Sequence, residues 1–344
     1  MPKILSIYKQ RWAFYTFGQV SIGEGGCVLK TQTNGDGLMH RPRQTRFKKA
    51  FYRDWQLYLL CIPALIFIFI FYYGPMYGVQ IAFKNFRSAK GIWGSPWVGF
   101  DHFQRFFKSP QFKTILPNTL RISIYSLLAG FPFPILIALL LNQVQHLRFK
   151  KAVQTTLYAP HFISVVVLAS MITVFLAPAT GIVNIIMRKM GLEAVHFMAV
   201  PEYFEDIFVW SGIWQSSGWG SIIYIAALSA VNPELYEAAE MDGASRFQKI
   251  IHVDIPSILP TIVTMFILRT GQFMNVGFQK AFLLQNSLNL SRSEIISTYV
   301  YKIGLMDGQF SYSTAINLFN TIVNIILILS VNFISQKLTE TSLW

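Results

Sequence analysis

Apolar runs of membrane-crossing length recur along this chain, and such runs admit few folded solutions. About 20 apolar residues in a helix cross a hydrocarbon core of ~30 Å. In lipid every backbone N–H and C=O must be satisfied within the protein, so helices are allowed and open sheets are not. The clearest run is LYLLCIPALIFIFIFYY within 55–73, with Trp55, Tyr58, Tyr72 and Tyr73 where interfacial aromatic belts lie. Gly74-Pro75 is expected to end that helix. Further runs cover 119–141, 155–176, 207–231, 257–278 and 314–333. The second is interrupted by Phe131-Pro132-Phe133-Pro134. The chain is 53% hydrophobic and only 13% charged, against about 25% charged in soluble domains. The expected fold is therefore all-α, a polytopic membrane protein with six transmembrane helices, and no internal repeat is evident.

Charge then sets the topology. Arg41, Arg43, Arg46, Lys48, Lys49 and Arg53 precede the first run. They are expected to hold that end in the cytoplasm, and they could also meet anionic lipid headgroups. Arg148, Lys150 and Lys151 return the chain to the same side. Six spans then put both termini and the 232–256 connection in the cytoplasm. The segment 76–117 reads as an outer loop and holds Lys84, Arg87, Lys90, Arg105, Lys108 and Lys113. A second outer loop at 177–206 is acidic through Glu193, Glu202, Glu205 and Asp206, and a third runs 279–310. The net charge of +13 is thus topological and does not point to nucleic acid. Residues 1–54 form a cytoplasmic tail and 55–344 the membrane domain. The Gly-rich part at 1–40 lacks a signal-peptide pattern, is compatible with a start at Met39, and receives no function.

Several chemistries find no support. Cys27 and Cys61 offer neither a disulfide framework nor metal spacing, and the six histidines stand singly. No Gly-rich phosphate loop is present, so no cofactor is expected in this chain. A membrane-embedded enzyme such as a glycosyltransferase would need paired carboxylates or a metal motif at a membrane face. An ion-coupled secondary transporter would need inverted repeats.

One polar stretch interrupts the apolar second half. In EAAEMDGASRFQKIIHVDIPSILP, from Glu237 to Pro260, five charged side chains fall in the first 13 residues. Glu237-Ala238-Ala239-Glu240 favours helix, and Gly243 suits a turn. Phe247, Ile250 and Ile251 recur as on a second short helix, and Pro256 and Pro260 mark a new segment. The composition alone would fit an ordinary polar connection.

The letters themselves resemble the EAA signature of binding-protein-dependent ABC import permeases. Glu237-Ala238-Ala239, three residues, Gly243, nine residues, then Val253-Asp254-Ile255-Pro256 match its spacing, with Val and Ile replacing the usual Ile and Leu. RDWQLYLLCIPALIFIFIFYYGPMYGVQIAFKNF, GIVNIIMRKMGL, WSGIWQSSGWGSIIYIAALSAVNPELYEAAEMDGA and NVGFQKAFLL resemble polysaccharide and oligosaccharide permeases of the carbohydrate-uptake class, over roughly residue 50 to the end. The resemblance extends to permeases of alginate and other large-saccharide importers. It implies a type I ABC importer permease fold in a bacterial cytoplasmic membrane. It also implies a second EAA-type permease, an ABC ATPase dimer that binds ATP and Mg, an extracytoplasmic solute-binding protein and a saccharide substrate. Glu237, Ala238, Ala239, Asp242, Gly243 and Ala244 would form the surface that docks on the ATPase.

Span five carries polar groups where apolar ones are expected. Arg269 lies nine residues past Pro260, about 14 Å along a helix, and an intramembrane charge defaults to a functional or paired role. Gln272, Asn275 and Gln279 follow at spacings that let all four share a helix face, read here as a substrate pathway. Pairing of Arg269 with carbonyls or another subunit, with the amides gluing helices, is the structural alternative. Trp214, beside Gln215, Ser216, Ser217 and Trp219, is the candidate for stacking on a sugar ring, or else a belt tryptophan.

Overall fold

The computed structural model describes residues Trp55–Thr339. The expectations for the tail at 1–54, including its basic run and Cys27, lie outside the described residues. Among the described residues all regular elements are helical, and the only strand-like feature is an isolated antiparallel pairing of Lys84 with Trp97. In chain order the main helices are α1 (Trp55–Ile68), α2 (Asp101–Lys108), α3 (Phe112–Gly130), α4 (Pro132–Asn142), α5 (Leu147–Tyr158), α6 (Val165–Phe175) and α7 (Ile182–Lys189). They continue with α8 (Tyr203–Ser229), α9 (Pro233–Met241), α10 (Arg246–Lys249), α11 (Ile255–Thr270), α12 (Phe278–Leu284), α13 (Ile296–Tyr301) and α14 (Phe310–Thr339). The chain divides into two units, Met1–Ile66 and Phe67–Trp344. The described part of the first unit is the beginning of α1.

Each expected span falls largely in helix, although the run at 257–278 leaves it after Thr270. Trp55–Phe83, Phe112–Asn142, Arg246–Thr270 and Phe310–Lys337 are long and apolar enough to cross a membrane. A bent helix pair, Leu147–Phe162 and Val165–Phe175 meeting at 96°, has the form of a broken span or a re-entrant loop. The run expected at 207–231 lies in α8, whose 27 residues reach about 40 Å, but α8 is not among the helices apolar enough to cross by composition. Its Glu205, Asp206, Gln215 and serines make it the least apolar of the set.

Three boundaries differ from the sequence expectation, each for a local reason. Gly74-Pro75 does not stop the first helical stretch, which runs on to Phe83. A wide turn at Phe69–Tyr73 lets the Gly74 N–H reach Phe69 O, and Pro75 then falls in a first turn where no proline N–H is needed. The span at 155–176 breaks because Pro160 sits in a tight turn, Ala159–Phe162, and Ser164 starts α6 by accepting from Val167 N–H (3.3 Å). The Ile163 carbonyl freed at this bend accepts from Gln215 Nε2 (2.8 Å) on α8. The second helix of the 232–256 connection does not stop before Pro256. It passes through a wide turn, Ile250–Asp254, directly into α11.

Within the unit from Phe67 onward, α8 is the central post, packed along α4 and α3, while α11 packs on α14. Ile122, Leu168, Phe204, Phe208 and Ile213 form one buried cluster. Phe106, Ile115, Met274 and Ile316 form a second, and Leu139, Tyr224, Leu228 and Ile258 a third. In lipid such clusters hold by close packing rather than by leaving water. Near the N-terminus of α8, Glu205 accepts from Arg121 (3.1 Å) and Arg292 (3.2 Å), and Asp206 accepts from Tyr125 Oη (2.7 Å).

Candidate functional site

The end of α11 is where the sequence expectation for span five gives way. The helix stops at Thr270, and the chain continues as turns through Gly277 (φ +94°) before α12 begins. Unwound backbone at membrane depth is tolerated only where protein or a cavity satisfies it. Both conditions are met here. Ser123 Oγ on α3 donates to Phe273 O (2.6 Å), and the Met274 N–H donates to Asn324 Oδ1 on α14 (3.0 Å). The free side of the segment faces a cavity of about 590 Å³ between α3, α8 and the α11–α12 connection.

Arg269, Gln272, Asn275 and Gln279 all line this cavity. The sequence brought them together on one helix by periodicity, but the structure does so across a break, with Arg269 on α11, Gln272 and Asn275 in the unwound segment and Gln279 on α12. The guanidinium of Arg269 makes no ion pair or hydrogen bond among the described residues. Of the three amides, Asn275 Oδ1 accepts from Asn320 Nδ2 on α14 (3.3 Å). Gln272 and Gln279 are exposed toward the cavity. Gln215, Ser216, Ser123 and Ser126 add hydrogen-bonding groups on the other walls.

Trp214 lies apart from the other four pathway candidates. It is 51% exposed and does not line the cavity. Gly212, Ile213, Gln215 and Ser216 take the cavity side of α8, and 100° per residue turns Trp214 away from Gly212 and Ser216.

Lys280 is the residue that sequence reasoning missed. It lines the cavity from α12 yet is only 8% exposed. Its Nζ donates to Phe208 O (2.5 Å) and lies 4.5 Å from the Phe208 ring centroid. Gly212 makes the room: a Cβ there would lie 3.2 Å from that nitrogen. In sequence Lys280 follows an apolar run, where a lysine reads as a helix-end residue reaching for water. The cavity lining thus holds two basic side chains, Arg269 and Lys280, and no carboxylate.

The 232–256 connection is built as the letters imply. Asn232 caps α9, accepting from Glu234 N–H (3.1 Å), with Pro233 in the first turn. Gly243 (φ +74°) ends the helix with the Gly243 N–H on Glu240 O (3.0 Å) and the Ala244 N–H on Ala239 O (2.9 Å). That paired closure needs a left-handed residue, which glycine supplies without strain. Ser245 and Gln248 then cap α10 reciprocally (2.7 and 3.3 Å). Lys249 staples α10 to Glu240 on α9 (2.6 Å), and this hydrogen bond holds the Glu240 carboxyl below the usual carboxylate range. Glu237, Ala238, Asp242 and Gly243 are exposed, while Ala239 and Ala244 are half-buried. Beside them Met241 (89%) and Phe247 (70%) present apolar side chains outward.

One carboxylate lies beneath this surface. Asp254 is fully buried at the end of the wide turn. It accepts from Tyr236 Oη (2.5 Å) and Asn142 Nδ2 (3.2 Å) on Oδ1, and from Gln143 Nε2 (2.9 Å) on Oδ2. Burial, and then the bond to Asp254, push the Tyr236 hydroxyl up to about 12, so it remains a donor at neutral pH.

Fold and cavity define a multi-spanning helical membrane protein with an internal polar cavity lined by basic side chains. The chain belongs to the family of binding-protein-dependent transport system inner membrane components, whose family pattern matches residues 130–340. That family is a transport component rather than a catalytic one, and its members sit in the inner membrane. The chain is 44% identical over 295 residues to Protein LplB of Bacillus subtilis (strain 168), covering 86% of this chain and 93% of that one. It is 43% identical over 288 residues to the polygalacturonan/rhamnogalacturonan transport system permease protein YteP of the same organism, covering 84% and 90%. Among solved structures it resembles a chain of a bacterial alginate ABC transporter in complex with an alginate pentasaccharide-bound periplasmic protein. There the TM-score is 0.80 at 41% identity, covering 87% of this chain and 100% of that one.

Proposed function

We propose that this chain is one of two permease subunits of an ABC importer, and that its cavity is half of the path for an acidic oligosaccharide or polysaccharide of the uronate type. The observation that carries this reading is the cavity lining, in which Arg269 and Lys280 have no carboxylate to oppose them. Arg269 is unpaired, so a uronate carboxylate would complete a charge-assisted hydrogen bond rather than compete with one. Gln272, Asn275 and Gln279 supply the neutral donors and acceptors that sugar hydroxyls need. The transport of polygalacturonan and alginate by similar proteins supports the same substrate class.

Electrostatics outside the cavity are compatible with it. Of the four acids at 177–206, Glu205 and Asp206 are already engaged by Arg121, Arg292 and Tyr125. Of the six basic residues at 76–117, two serve the fold. Lys84 donates to Ile92 O (2.8 Å) beside Trp97, and Arg105 stacks on Tyr312. Arg87, Lys90, Lys108 and Lys113 remain exposed to attract an anionic chain.

In this reading the membrane domain spans 55–344, with both termini and the 232–256 loop in the cytoplasm. An extracytoplasmic solute-binding protein delivers the saccharide. Glu237, Ala238, Ala239, Asp242, Gly243 and Ala244, with exposed Met241 and Phe247, meet an ATPase dimer that binds ATP and Mg. Alternating access follows from rigid-body movement of the spans. The test is to co-purify the chain with the products of its neighbouring genes, reconstitute the complex in liposomes, and measure ATPase stimulation by the loaded binding protein across a saccharide panel. Oligouronates are expected to stimulate and neutral oligosaccharides of equal length to do so much less. Equal stimulation, or stimulation by neutral sugars alone, would remove the acidic substrate.

A further inference from the structure

Asp254 occupies the variable position of Val253-Asp254-Ile255-Pro256, where the EAA signature prescribes no residue. Its three donors come from two other segments of the chain. Tyr236 is on α9, immediately before Glu237; Asn142 ends α4 and Gln143 follows it; Asp254 itself closes the wide turn that leads into α11. One carboxylate therefore ties the docking helix to the inner ends of span two and span five at once. Asn142 Nδ2 also donates to Tyr236 Oη (3.4 Å), so the three-way contact is closed on itself.

The chemistry fits a link that must not slip. A fully buried carboxylate loses its hydration and must regain it from fixed donors. No cation forms an ion pair with Asp254 among the described residues, so hydrogen bonds from neutral donors hold the carboxylate. Bonds to a charged group are about twice as strong as neutral ones and shorter, and letting one go strands a buried charge. The segment that carries Asp254 is a wide turn inside a helix, a shape found often at functional sites. Movement of α9 therefore cannot leave α4 and α11 behind without breaking these bonds.

We propose that Asp254 is a positioning residue for energy coupling: it transmits displacement of α9 jointly to spans two and five. The proposal rests on the reading that α9 docks on the ATPase.

The experiment uses the reconstituted complex with its ATPase and binding protein, and reads saccharide imported per ATP hydrolysed. Asp254→Asn keeps the shape but turns one acceptor into a donor facing donors. It is expected to lower the ratio about tenfold, the size of one lost charged hydrogen bond, while basal ATPase activity persists. Tyr236→Phe removes one donor and should lower the ratio less, and the double variant should be no worse than Asp254→Asn alone. A purely structural role would lower the yield of complex and leave the ratio of the assembled fraction unchanged. An unchanged ratio in Asp254→Asn, or additive losses in the double variant, overturns the proposal. Should Asp254→Asn not assemble, Tyr236→Phe decides by itself, and an unchanged ratio there overturns it. Failure of the docking reading is distinct: the ATPase would then not co-purify with the unmutated chain.

Discussion

Arg269 and Asp254 lie on one helical stretch, Arg246–Thr270, and treat their charges in opposite ways. Asp254 has no exposure and three donors from two other segments. Arg269 opens on a cavity and has no hydrogen bond or ion pair among the described residues. A charge taken out of water, whether into the protein or into the membrane, is expensive, and these are two ways of meeting that cost. A charge satisfied by fixed neighbours holds parts of the protein in register. A charge left without a fixed neighbour is ready for a mobile one. On the proposed reading, this difference is what separates Asp254, as a mechanical link, from Arg269, as a group for the solute.

The largest contrast should appear in stability. Asp254→Ala strands the Tyr236, Asn142 and Gln143 donors in a buried site and is expected to destabilise by about 3 kcal/mol or more. Arg269→Ala removes an unpaired side chain and should change stability by less than about 0.5 kcal/mol. Thermal unfolding of the detergent-purified complex reads both. Similar shifts would erase the distinction.

Gly243→Asp sharpens the mechanical half. The left-handed φ of +74° and an added charge at an exposed turn should abolish productive docking, with transport falling by tenfold or more, roughly 1.4 kcal/mol. The spans should stay folded, because nothing lies within 4 Å of a Cβ at that position. Co-purification of the ATPase together with transport measures this, and normal transport would remove Gly243 from the docking surface.

Lys280→Met sharpens the solute half. It keeps the buried stem and removes the charge, so stability should change little or rise. The concentration of oligouronate needed for half-maximal ATPase stimulation should increase about tenfold, as for loss of one charge-assisted bond. An unchanged concentration would make Lys280 a tether for Phe208 O and nothing more.

Sequence reasoning reached the local parts of this architecture. The all-helical, multi-spanning fold follows from apolar run length, and the Gly243 turn follows from a motif whose contacts stay within seven residues of each other. Arg269, Gln272, Asn275 and Gln279 were found because polar groups in an apolar run are conspicuous, although the helix that was to align them ends at Thr270. What escaped depends on distant partners. Lys280 looks like a helix-end lysine until Phe208 and Gly212 of α8 are placed around it. Asp254 sits at an unconstrained motif position, and its donors come from about 110 residues earlier and 18 earlier in the chain. Trp214 was chosen for chemistry alone, and the turn of α8 takes it away from the cavity.

The central claim is that an unpaired Arg269 meets an anionic solute, and Arg269→Gln tests it most directly because it keeps hydrogen-bonding groups and removes the charge. The measurement is ATPase stimulation of the reconstituted complex by binding proteins loaded with an oligouronate or with a neutral oligosaccharide of equal length. The prediction is that stimulation by the oligouronate falls about tenfold or more while stimulation by the neutral sugar stays as it was. If both fall equally, or neither falls, Arg269 is structural and the acidic pathway is contradicted.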